Sequence, residues 1–213
     1  MRLLERAVRR AEIPIKMTQG FNPRPRISFP LALALGVEGL EEVVELELSR
    51  WLSPKTLVEN LRAELPEGPD IVSAEVVAPP ASRVEEVLYL VQFPSSKIIA
   101  PEKIEELLNL KEYWVNRERD GKKKSINLRP SIVSIAQKEG CVEIRIKVFQ
   151  EGTARPEEVL EALGFKPAFL TDVKIIREKV ILSLPTQSHD FYNKGERGAI
   201  SHSTAGVGEK YHE

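Results

Sequence analysis

Residues 24–49 read RPRISFPLALALGVEGLEEVVELELS. Apolar side chains recur at every second position, at Ile27, Phe29, Leu31, Leu33 and Leu35 and again at Val44, Leu46 and Leu48. Arg24, Arg26 and Ser28 fall between the first set, Glu45 and Glu47 between the second. A period of two belongs to an extended strand with one buried face. The stretch therefore predicts two neighbouring strands, over 24–35 and over VVELELS. Pro30 has no N–H to give a ladder, which places the first strand at a sheet edge or at a bulge.

Outward from these strands the period changes. Over Arg2–Glu12, Leu3, Leu4, Ala7, Val8 and Ala11 form one helical stripe, with Arg2, Arg6, Arg9 and Arg10 on the other side, and Pro14 follows. Ser53-Pro54 is an N-cap followed by proline at the first helical position, and Leu57, Val58, Leu61 and Leu65 continue a helix to Pro66. IVSAEVV gives a further strand. The order α, β, β, α, β is that of a ferredoxin-like βαββαβ unit lacking its first strand.

VAPPASR, residues 77–83, reads as a linker to a second set of elements. VLYLVQF predicts a strand and PEKIEELLNL a helix. KEYWVNRE and KKSINLR predict a hairpin around Asp120-Gly121. SIVSIAQ and CVEIRIKVF are two more strands, RPEEVLEALGF a helix with Gly164 as its stop, and FLTDVKIIREKVIL a closing strand. The predicted fold class is α+β, with two ferredoxin-like (βαββαβ) halves in tandem over 1–78 and 84–184. Residues 185–213 lose periodicity and gain Gly, Ser and charge, which predicts disorder.

Composition narrows the chemistry. Of 213 residues, 42% are hydrophobic and 30% charged, and no long uncharged apolar run occurs, so a cytoplasmic chain with no membrane partner is expected. A single cysteine, Cys141, excludes an internal disulfide and a cysteine-rich metal site. The three histidines, His189, His202 and His212, all follow Leu184, which leaves the predicted folded part without an imidazole for a catalytic relay. No catalytic residue, cofactor or metal ligand is assigned. Carboxylate pairs such as Glu157-Glu158 are accounted for by the dipole at helix starts.

Charge distribution is more informative than the net value of -1. Residues 1–30 hold seven cations, Arg2, Arg6, Arg9, Arg10, Lys16, Arg24 and Arg26, against Glu5 and Glu12; residues 38–70 reverse the sign. Within QGFNPRPR, Gly20 permits a positive φ, and Pro23 and Pro25 stiffen the lead-in to the strand. Arg24 and Arg26 then project from one face about 7 Å apart, near the spacing of successive phosphates. Gln19 and Asn22 adjoin them. A second basic set, Arg117, Arg119, Lys122, Lys123, Lys124 and Arg129, surrounds the predicted hairpin turn, with Tyr113 and Trp114 beside it as stacking candidates. Plainer readings stand beside these: arginines paired to the acidic 38–47 segment, a solvated hairpin tip, and aromatics packed in the core.

The linked motifs Arg9-Arg10-Ala11, Gln19-Gly20-Phe21-Asn22-Pro23-Arg24-Pro25, Ile27-Ser28-Phe29 and Leu35-Gly36-Val37-Glu38, with the later RPEEVLEALG and Arg129-Pro130, resemble the radical-SAM-associated domain family. The resemblance extends to about residue 180. Its members are domains of unknown function found beside, or fused behind, radical SAM enzymes, and they begin with a further strand and a Ser-His-Leu-Asp turn that this sequence does not contain. The resemblance implies a radical SAM partner and an accessory role in RNA modification or processing.

Three functions are thus expected in order: an accessory protein that binds RNA or presents substrate through a basic face, a histidine-independent ribonuclease or nucleotidyl-transfer enzyme, and an adaptor without RNA binding. The phosphate-binding candidates are Arg2, Arg6, Arg9, Arg10, Lys16, Gln19, Asn22, Arg24, Arg26, Arg117, Arg119, Lys122, Lys123, Lys124 and Arg129.

Overall fold

Helix α1 (Arg2–Arg10) buries Leu4, Ala7 and Val8, one turn apart, and leaves its four arginines exposed. It ends in a Schellman-type closure: Glu12 N–H donates to Arg9 O at 3.2 Å and Ile13 N–H to Val8 O at 3.1 Å. Glu12 stands at φ 50° in the left-handed position that this closure requires. The computed structural model describes residues 2–77, 83–94, 99–119, 121–170, 172–183 and 202–209, with the backbone alone for Arg119 and 202–209. Two units are distinguished: Met1–Ala32 with Leu40–Arg83 and Leu182–Glu213, and Leu33–Gly39 with Val84–Ile181.

In the first unit, β1 (Ile27–Ser28) pairs antiparallel with β2 (Val37–Glu47), Ile27 opposite Leu46. Helix α2 (Pro54–Glu64) starts where Ser53 Oγ accepts from Thr56 N–H at 3.1 Å. It leads to β3 (Pro69–Val77), and the strand order is β3-β10-β2-β1, where β10 (His202–Glu209) is antiparallel to both neighbours. The core joins Leu4, Val8 and Ile13 to Val44, Leu46 and Leu48 of the β2 segment, Leu57 and Leu61 of α2, and Ile71 of β3.

Two expectations change here. The alternating run over 24–35 is a strand only at Ile27–Ser28, and Phe29, Leu33 and Leu35 are 36%, 41% and 104% exposed. Pro30 interrupts the ladder, and Val37 N–H turns back to Ala34 O at 3.2 Å with Gly36 at φ 83°, so the later leucines have no sheet to lie on. Glu45, expected to face solvent, is 6% exposed and accepts a 3.3 Å hydrogen bond from Ser28 Oγ.

The second unit runs β4 (Arg83–Gln92), α3 (Pro101–Asn109), β5 (Trp114–Arg119), β6 (Lys122–Asn127), β7 (Ile132–Lys138), β8 (Cys141–Lys147), α4 (Pro156–Ala162), α5 (Pro167–Leu170) and β9 (Lys174–Ser183). Its strands lie in the order β9-β4-β8-β7, while β5 and β6 form a separate hairpin with Arg119 opposite Lys122. Val91, Val142, Ile144, Ile146, Leu128, Val159 and Leu160 make its core, against which Phe93 and Phe165 pack. The short α5 has no counterpart in the sequence-based expectation.

The architecture is α+β, and among the described residues no helix is long and apolar enough to cross a membrane. Disorder over 185–213 and a linker over 77–83 fall largely outside the described residues; within the former, His202–Glu209 form β10.

Candidate nucleic-acid interface

After α1 the chain forms a hairpin whose two arms are both bonded to Glu47 of β2. Thr18 N–H donates to Arg24 O at 2.8 Å, Arg24 N–H to Thr18 Oγ1 at 2.9 Å, and Arg26 N–H to Lys16 O at 2.8 Å. Met17 lies opposite Pro25, and Ile15 lies opposite Leu48 just past the end of β2. Residues 19–23, QGFNP, are the tip. Gly20 adopts φ 133°, a conformation that an L side chain rarely takes, with open space around it. The two prolines sit where the hairpin needs no donor from them, so their stiffness comes without a lost hydrogen bond.

Three residues form a closed ring at the base. Lys16 N–H donates to Glu47 O at 2.7 Å, Arg26 N–H to Lys16 O at 2.8 Å, and Glu47 N–H to Arg26 O at 3.1 Å. Their side chains repeat the association: Arg26 Nη1 lies 3.1 and 3.0 Å from the Glu47 oxygens, and Lys16 Nζ lies 3.4 Å from Oε2. Burial pushes the Glu47 carboxyl up, but the hydrogen bonds and charges of Arg26 and Lys16 outweigh it and hold the group below its ordinary 4.5. Lys16 and Arg26 are therefore internal struts that fix the hairpin on β2.

Arg24 differs from Arg26, its neighbour two residues on. Its side chain is exposed and has no acidic partner among the described residues, as is also true of Arg2, Arg6, Arg9 and Arg10 on α1. Gln19 and Asn22 are exposed at the tip. The expected Arg24/Arg26 pair is thus divided, one arginine aimed at solvent and the other spent within the fold.

The basic hairpin of the second unit is divided in the same way. Arg117 Nε lies 2.6 Å from Glu158 Oε1 and its Nη2 2.5 Å from Oε2 and 2.6 Å from Thr153 O. Arg129 donates to Leu108 O and Ile132 O, and Lys124 to Glu151 O. Lys122 and Lys123 remain exposed, and the Arg119 side chain and Asp120 lie outside the described residues. A groove of about 1340 Å³ beside this hairpin carries Arg117, Lys122, Lys124 and Arg155 together with Glu118, Glu151, Glu157, Glu158 and Glu161. With carboxylates balancing the cations, it offers a polyanion no net attraction. Tyr113 packs half-buried on the core, whereas Trp114 is 59% exposed and donates from Nε1 to Glu112 at 2.9 Å.

The exposed aromatics Phe21 and Trp51 lie outside the sequence-based candidate set. Phe21, at the hairpin tip, is 105% exposed. Trp51 is 63% exposed and follows Ser49, whose N–H donates to Pro14 O at 2.7 Å just beyond α1. A phenylalanine between glycine and asparagine-proline, in no periodic set, was the available signal for the first. Arg50-Trp51 stands outside any helix or strand period and gave a weaker one.

The α+β fold carries an arginine-faced helix followed by a proline-arginine hairpin with an exposed phenylalanine at its tip. Residues 1–156 match the family described as uncharacterized protein conserved in bacteria (DUF2344), and the chain belongs to that family. No curated protein and no solved structure matched the chain.

Proposed function

We propose that this protein is an RNA-binding accessory partner of a radical SAM enzyme, engaging phosphates through α1 and bases at the hairpin tip. The observation that carries this reading is the set of five exposed guanidiniums, Arg2, Arg6, Arg9, Arg10 and Arg24, without acidic partners among the described residues. Planar guanidiniums recognise phosphate oxygens through paired N–H donors, and an aromatic ring in water, such as Phe21, stacks on an unpaired base. A single-stranded or looped RNA fits this combination better than a duplex, whose bases are already stacked. The radical SAM partner and the RNA-processing setting rest on the sequence resemblance.

The same reading extends to the fold. The order β9-β4-β8-β7 around α3 and α4 supports a ferredoxin-like second half, and β3-β10-β2-β1 with α1 and α2 supports a first half of the same kind. An adaptor reading is favoured by one observation, the full exposure of Phe21 and Leu35. Fluorescence anisotropy with labelled single-stranded RNA, alongside co-purification with the radical SAM enzyme, separates the two. RNA binding that rises as salt falls supports the first; co-purification with no RNA binding supports the adaptor.

A further inference from the structure

Trp51 stands on a backbone that is fixed on both sides. Before it, Ser49 N–H and Oγ–H both donate to Pro14 O, at 2.7 and 3.0 Å, next to the bridge between Ile15 and Leu48. After it, Leu52 packs on the core of the first unit and Ser53 caps α2. The ring nonetheless stays 63% exposed, and its Nε1 has no partner among the described residues. An ordered tryptophan left in water forgoes the burial that its large apolar surface would otherwise contribute. The packing of this unit does not account for it. Trp114, the other tryptophan, differs in that its Nε1 is held by Glu112.

Charge around Trp51 has one dominant sign. Arg50, directly before it, is exposed and has no acidic partner among the described residues. The Ser49 bonds to Pro14 bring Arg50 and Trp51 to the C-terminal end of α1, where Arg9 and Arg10 are exposed and Glu12 is the nearby carboxylate in the chain. Three guanidiniums thus stand against one acid beside a free indole. The Phe21 tip starts from the same junction: Lys16 N–H donates to Glu47 O, five residues lead from Lys16 to Phe21, and four lead from Glu47 to Trp51. Even fully extended, these arms keep the two aromatic residues within about 35 Å of each other.

We infer that Trp51 is a second stacking platform for RNA, with Arg50, Arg9 and Arg10 holding the phosphates beside it, so that one single strand runs from the Phe21 tip past the end of α1 to Trp51. The inference rests on the RNA-binding reading and narrows it: the ligand is an unpaired run that reaches both rings, not one exposed base. Stacking on an aromatic face accepts any base, and guanidinium forks hold the backbone between stacked bases.

The test uses the full chain and decauridine, a strand with little pairing of its own. In a Trp114→Phe variant Trp51 is the sole tryptophan, and its fluorescence is expected to be quenched as the RNA binds. In anisotropy titrations with end-labelled decauridine, Trp51→Leu lowers affinity about 5- to 150-fold, the worth of one stacked base, and leaves the salt slope unchanged. Trp51→Phe, which keeps an aromatic face, retains most of the affinity. Arg50→Gln instead reduces the logarithmic salt slope by about 0.7, as loss of one phosphate contact requires. RNA that binds without quenching Trp51, or that binds Trp51→Leu as tightly as the unaltered chain, overturns this inference and leaves the RNA-binding reading standing. An unaltered chain that does not bind decauridine overturns both.

Discussion

Arg26 and Glu47, 21 residues apart, are joined twice: Arg26 Nη1 lies 3.0 Å from the Glu47 carboxylate, and Glu47 N–H donates to Arg26 O at 3.1 Å. This relationship separates the two arginines of the Pro-Arg-Pro-Arg motif. It ties the second to the sheet, so that the first stands at the rim of a fixed hairpin.

Because the pair is half-exposed, its loss is modest. Arg26→Ala is expected to lower unfolding free energy by about 1 kcal/mol, read in a urea titration. Glu47 is held below its ordinary 4.5, so its contribution is present above that pH and is lost as pH falls through the depressed folded value. Glu47→Gln therefore starts less stable at neutral pH and shows a shallower decline below about pH 4.5.

At the hairpin tip the effects are reversed, with function changing and stability not. Phe21→Ala and Arg24→Ala leave the melting curve within about 0.5 kcal/mol. Phe21→Ala weakens single-stranded RNA binding by about 1–3 kcal/mol, the worth of one stacked base. Anisotropy titrations at fixed salt check both.

Glu12, at φ 50°, fills the left-handed position that closes α1. Glu12→Gly removes the Cβ clash and is expected to raise stability by about 0.5–1 kcal/mol, the gain partly offset by backbone entropy. Thermal denaturation reads the sign directly.

Arg117 and Glu158 are 20% and 15% exposed in their side chains, and Arg117 also donates to Thr153 O. Arg117→Ala strands the Glu158 charge and costs about 3 kcal/mol. Lys123→Ala, on the same hairpin but exposed, costs under about 0.5 kcal/mol.

Local pattern carried most elements. The capped α2, the β5–β6 hairpin and the helix stripe of Leu4, Ala7 and Val8 were legible because each is decided within a few residues. The alternation at Phe29–Leu35 misled because period two states only that a strand is possible, while the ladder that makes one is supplied from elsewhere in the chain. The site was legible as a charge segregation but not in its division. Whether Arg26 or Arg24 meets Glu47 depends on β2 arriving 21 residues later. The place of β10 was illegible for the same reason: HSTAGVGE has little strand preference, and its partners lie more than a hundred residues upstream.

The most direct measurement is the salt dependence of single-stranded RNA binding by the unaltered chain and by a variant with Arg2, Arg6, Arg9, Arg10 and Arg24 all changed to Gln. The account predicts a logarithmic slope that shrinks by about 0.7 for each phosphate contact removed, with affinity lost at every salt concentration and the fold intact by circular dichroism. An unchanged slope and affinity in the variant would contradict it, as would an unaltered chain that does not bind RNA.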